Sequence, residues 1–190
     1  MEVTRLIGVA VLATGFAAFG PGAGAQTPTG VAPSGLGVTE VTLTGAGRGA
    51  PAAKIRIEYG QPHARGRTIA GTLIPRDSIW RTGANAATIL QTDVDLVIGT
   101  TRVPKGRYSL FTLWTGSAAQ LIVNKQSGQA GTDYDQAQDL ARIPLRVTML
   151  TPPLESFSVW LIPVTQGGVR GELRMAWGTL QYSVDWRAAP

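Results

Sequence analysis

The residues that could do chemistry in this chain gather between Tyr59 and Thr88. Arg65-Gly66-Arg67 sets two guanidiniums around a glycine. Each guanidinium is a planar fork of donors that matches a carboxylate or phosphate, and glycine lets the backbone approach closely. Further on, Trp80-Arg81 and Asn85 stand on either side of Gly83-Ala84. Trp offers a stacking face, Arg a second fork, and Asn both a donor and an acceptor, a set that can line a sugar or carboxylate pocket. Arg65, Arg67, Trp80, Arg81 and Asn85 are therefore the candidate ligand- or partner-binding residues, with His63, Asp77 and Tyr134 behind them. Each also has an architectural reading. The Arg65–Arg67 segment can be an exposed basic loop, Trp80 a core residue, Arg81 the partner of a buried carboxylate, and Asn85 the cap of a turn.

Catalysis finds less support. His63 is the single histidine; it could act as a general base, but no nucleophile pattern accompanies it. Asp77 and Ser78 are adjacent without the glycine-flanked elbow that would expose a serine. Asp133, Asp135 and Asp139 flank Tyr134 at a spacing that could supply calcium oxygens, yet the glycine and terminal glutamate of a helix–loop–helix calcium loop are missing, and a solvated acidic loop fits better. One histidine and no cysteine argue against zinc and exclude thiolate chemistry and disulfides. No catalytic residue, metal or cofactor is implied.

The elements that must position these groups are strands. Charged residues are only 15% of the chain, while it carries 24 glycines and 12 prolines, a turn-rich β composition. Period-two alternation marks strands near 38–44, 54–59, 87–91, 94–98, 107–113, 120–124, 141–149, 156–162, 169–177 and 180–186. Pro144 places the 141–149 strand at an edge or a bulge. Pro152-Pro153 reads as a break, and residues 125–139 as a loop with at most one helical turn. Trp114 and Trp160 read either as surface platforms or as core between two sheets. Such spacing predicts an all-β domain, an antiparallel β-sandwich, with a closed β-barrel as the alternative.

The expected organisation is a signal peptide over 1–25, a flexible lead-in with a first strand over 26–52, and the β-rich domain over 53–190. Arg5, the apolar run 6–19 and the small residues Ala23-Gly24-Ala25 follow the order of a cleavable export signal; the alternative is an uncleaved membrane anchor. The protein is thus expected outside the cytoplasm, periplasmic or extracellular, and membrane-tethered if the segment is retained. A net charge of +5 favours anionic partners or a merely solubilising surface. No nucleic-acid-binding pattern is present.

Tyr59-Gly60-Gln61-Pro62, Arg65-Gly66-Arg67, Gly71, Leu73-Ile74-Pro75, the run Trp80–Asn85 and Thr88 occur in a characteristic order. Pro104–Phe111 and Val123-Asn124-Lys125 continue it. Over roughly 53–186 the chain resembles the bacterial secreted family of the domain of unknown function 2911. The resemblance implies an exported bacterial β-rich domain and no particular reaction. Members are often lipoproteins, and the absence of cysteine departs from that. The function expected first is a non-enzymatic binding or interaction module of the bacterial cell envelope, with an anionic, sugar-like or protein partner. Alternatives are a structural subunit of a larger membrane-associated complex and a carbohydrate-active hydrolase.

Overall fold

A computed structural model of the chain describes residues 30–45, 51–164 and 166–189. The stretch expected to be an export signal lies outside the described residues, as do residues 26–29 of the expected lead-in and residues 46–50 of the glycine-rich segment after the first strand. Among the described residues no helix is long and apolar enough to cross a membrane.

Ten strands carry the domain: β1 (Ser34–Leu43), β2 (Ala53–Pro62), β3 (Ile79–Trp80), β4 (Thr88–Thr92), β5 (Leu96–Ile98), β6 (Thr101–Val103), β7 (Gly106–Trp114), β8 (Ala119–Asn124), β9 (Asp139–Pro163) and β10 (Arg170–Ala188). All pairings between them are antiparallel. They form one sheet in the order β1-β2-β4-β7-β8-β9-β10-β5-β6, with β3 added to β7. Among the described residues the end strands β1 and β6 do not pair, so the alternative of a closed barrel is corrected to an open antiparallel sheet.

β2 shows why the chain takes this form. Ile55, Ile57 and Tyr59 point into the core and are buried. Lys54, Arg56 and Glu58 point out, where Glu40 of β1 pairs with Lys54 at 2.8 Å and Arg56 at 3.1 Å. Such exposed pairs add little stability; the alternation itself fixes the register, because a one-residue slip would expose every apolar side chain. Residues from β2, β4, β7 and β8 join those of β9 and β10 in one core. The void inside it measures only about 10 Å³, room for one water at most. This part of the core has no room for a ligand.

Four sequence expectations change. β9 runs straight through Pro152-Pro153. Met149 pairs with Leu180 and Leu154 with Gly178, so the prolines sit in a bulge where β9 has no ladder bond to lose. The two last strands are one, β10, interrupted only by that irregularity. β3 and β6 are short additions. The strand of Pro144 is interior, between β8 and β10, so its placement at an edge is corrected; the proline is tolerated because β8 alone borders it, the β10 pairing of this half of β9 beginning only at Arg146. The loop before β9 holds a single 3-10 turn, Gln136–Gln138. Trp114 is core; Trp160 is 37% exposed.

Candidate functional site

The segment after β2 is held to β9 by a row of polar contacts. Gln61 Nε2 donates to the Phe157 carbonyl at 3.1 Å, and His63 Nδ1 lies 2.7 Å from Ser156 Oγ. The Ala64 amide donates to the Glu155 carbonyl and the Arg65 amide to the Glu155 carboxylate. Arg65 is left-handed at φ 51 and exposed, and its Nη2 donates to the Ala32 carbonyl at 3.2 Å. Arg67 folds back over its own loop, donating to the carbonyls of His63 at 2.7 Å and Ala64 at 3.1 Å. Two of its five donors are thereby used. His63 is thus a fastener between segments.

The next turn is built from backbone packed on backbone. Thr82 is fully buried with φ 55. Its Oγ1 meets Thr112 Oγ1 at 2.7 Å, and Thr88 Oγ1 donates to its carbonyl at 2.7 Å. The Ala84 amide donates to the Gly60 carbonyl, and a Cβ at Gly60 would strike Ala84 O. The turn residues that make the sequence recognisable thus brace an irregular connection, as buried polar groups must.

Four of the five candidate binding residues meet at one cleft of about 340 Å³. It is lined by Arg67, Trp80, Arg81 and Asn85, with Leu73 and Trp177. Trp80 supplies little surface, being 6% exposed; its ring packs edge-on to Phe157 at 5.1 Å and stacks with Trp177 at 6.2 Å. The core reading of Trp80 holds. Arg81 forms no ion pair among the described residues, which corrects its reading as partner of a buried carboxylate. Instead its Nη1 lies 3.4 Å from the Asn85 carbonyl, and its stem lies against Gly131, where any Cβ would collide with Arg81 Cδ. Asn85 caps no turn with its side chain among the described residues. It serves through a left-handed φ of 64, which Asn tolerates, and a carbonyl that also accepts from the Gly131 amide at 3.2 Å. Arg65 is outside this cleft's lining.

A second cleft of about 520 Å³ shares Leu73, Trp80 and Arg81 with the first and adds Thr72, Thr132 and Tyr134. Neither lining contains an Asp or Glu. A third, of about 380 Å³, has both Arg67 and Glu155 in its lining. Gly131, Thr132 and Trp177 were not legible as site residues: the first two lie in an aperiodic loop, and Trp177 reads only as one apolar position of a strand. Asp77 is away from all three clefts. It is exposed with φ 57, its amide donates to the Trp114 carbonyl, and its carboxylate faces Arg76 at 3.6 Å.

Tyr134 is locked in place. Its hydroxyl donates to Asp139 Oδ2 at 2.7 Å and accepts from Arg142 Nη2 at 2.8 Å, while Arg142 Nε bonds the same carboxylate at 3.0 Å. Asn124 Nδ2 donates to the other Asp139 oxygen at 2.9 Å, and the ring packs on Phe111 at 4.9 Å. Asp135 Oδ1 caps the 3-10 turn through the Ala137 amide. These acids thus have structural duties, and among the described residues no group of three His, Cys, Asp or Glu is placed to hold a metal. Burial, aided by the bond to Asp139, pushes the Tyr134 phenol up to about 12. An unfolded tyrosine ionises near pH 10, so the folded state holds this proton more tightly. Its contribution to stability is complete below about pH 10 and is lost as pH rises through about 12. Burial also raises the Tyr108 and Tyr182 phenols, so denaturant melts between these values are expected to show a shared decline that Tyr134→Phe makes shallower; an unchanged slope would contradict the assignment.

Residues 46–186 match the family described as protein of unknown function, DUF2911. The match spans well over half of the chain, which therefore belongs to that family. No curated protein and no solved structure matches.

Proposed function

We propose that this DUF2911 domain is a non-enzymatic binding module of the bacterial cell envelope that takes an anionic or sugar-like ligand in the cleft between Arg67 and Arg81. One observation carries the reading: Arg67 is brought beside Trp80, Arg81 and Asn85 of the later turn on one concave surface whose lining has two guanidiniums and no carboxylate. Arg67 is pinned by its loop carbonyls and Arg81 by Gly131 and Asn85. Such donors are held in position before a ligand arrives and lose little freedom on binding. The hydrolase alternative wants paired carboxylates about 5–10 Å apart, and this cleft offers none. The complex-subunit alternative rests on residues 1–25 as an anchor, outside the described residues.

The test is an NMR titration of the mature chain with inorganic phosphate and with galacturonic acid. Amide shifts are expected at Arg67, Arg81 and Asn85, and Arg81→Gln should weaken the preferred ligand by roughly tenfold or more, the scale of a lost hydrogen bond to a charged group. Shifts elsewhere, or an Arg81→Gln variant that folds and binds equally well, would sink the reading.

A further inference from the structure

We infer that the ligand is an acidic saccharide chain spanning both clefts, with Arg81 as the ridge between them; this rests on the binding reading above and makes it more specific. The first support is continuity. The two clefts share Leu73, Trp80 and Arg81, so whatever sits against Arg81 from one side is next to the other. Each volume taken alone suits a small ligand, and together they approach the upper end for ligand pockets.

The second support is a division of chemistry. The first cleft contributes guanidiniums at both Arg67 and Arg81. The second contributes the hydroxyl side chains Thr72 and Thr132 and the aromatic Tyr134, with Arg81 as the only charged residue of its lining; the Thr132 hydroxyl donates to the neighbouring Asp133 carboxylate at 3.3 Å and so offers a ligand its acceptor lone pair. A compact inorganic anion would use the first set and leave the second idle. A chain of sugar acids presents a carboxylate, several hydroxyls and an apolar ring face in each unit, and so engages both. An acidic peptide offers carboxylates without that density of hydroxyls.

The third support is rigidity where a sugar would need it. Tyr134 is fixed by Asp139, Arg142 and Phe111. Arg81 is held by a glycine, Gly131, which lies at the second cleft and whose amide bonds Asn85 of the first. The two sites are therefore built on one another. A rigid aromatic wall beside a held guanidinium is an arrangement that binds a flexible saccharide at low cost in entropy.

Calorimetry of the mature chain with galacturonic acid and with its short oligomers tests the inference. The oligomer is expected to bind about tenfold tighter than the single sugar or better, as the second cleft is engaged by a tethered unit. That gain should fall to near unity in Thr132→Trp, which fills only the second cleft. Equal affinities for sugar and oligomer, both weakened by Arg81→Gln, would overturn the chain-spanning inference and leave the single-cleft reading standing. No binding of either, or binding indifferent to Arg81→Gln, would overturn both.

Discussion

Trp80→Ala is expected to destabilise the domain by about 3–5 kcal/mol, the range for removing a buried aromatic from a packed core. Trp80 is buried and stands in an aromatic group with Phe157 and Trp177; Tyr59 packs on Phe157 at 5.4 Å. β3, which carries it, is only two residues long and pairs with β7 through Ile79 and Trp80. Packing, more than the ladder, must hold that strand down. Truncation removes the packing and frees the turn that follows, Thr82–Asn85. The expected melting temperature falls by roughly 10 °C, and Trp80→Phe should recover a large part. A loss below about 1 kcal/mol, within the ordinary range for unremarkable sites, would mean that Trp80 is a surface residue after all. The same packing explains why Trp80→Ala is a poor probe of binding. It would disturb both clefts through the fold, whereas Arg81→Gln leaves the core untouched.

Much of this architecture is written in period-two alternation. Ile55, Ile57 and Tyr59 announce β2, and Leu180, Tyr182, Val184 and Trp186 announce the end of β10; all seven are buried. The misreadings have a common cause, since they concern what lies opposite a residue. Pro152-Pro153 breaks a strand only where the partner needs its amide, and here β10 leaves that stretch unpaired. Arg81 looks for an acid in the sequence but finds a carbonyl four residues on. Trp114 and Trp160 have similar surroundings in sequence, yet one is buried and the other sits in register with Arg174 on an outward face.

The candidate site divides the same way. Arg67, Trp80, Arg81 and Asn85 were legible because one short stretch holds them. Their meeting at one cleft is a consequence of the left-handed residues Arg65, Thr82 and Asn85, which turn the chain back on itself. Gly131, Thr132 and Tyr134 reach Arg81 from a loop much later in the chain, and no local pattern records that approach. Family membership, which the signature residues pointed to, identifies the stretch without assigning it a task. Geometry separates its members: Gly60, Thr82, Gly83 and Thr88 build the turn, while Arg67 and Arg81 face the clefts.

That separation predicts opposite behaviour for two glycines of the stretch. Gly60→Ala should cost at least about 3 kcal/mol, the upper end for overpacking, whereas Gly66→Ala should cost only about 1–2 kcal/mol for a left-handed backbone. Gly60 lies within β2, paired with Leu36 of β1. The added methyl would meet the Ala84 carbonyl, and the approach is mutual: a Cβ at Gly83 would come 2.8 Å from the Gly60 carbonyl. Both obstacles are backbone, so no rotamer change relieves them. Gly66 has φ 74 with open space around it, so its substitution strains one residue and nothing else. Relief at Gly60 requires the Thr82–Asn85 turn to move, carrying Arg81 and Asn85 with it. Paired denaturant melts measure the difference. Where Gly60→Ala still folds, it should also weaken ligand binding, while Gly66→Ala should leave the positions of Arg81 and Asn85 unchanged by NMR. Equal destabilisation by the two substitutions would show that the crossing of β2 and the turn is not the tight backbone contact on which the site is built.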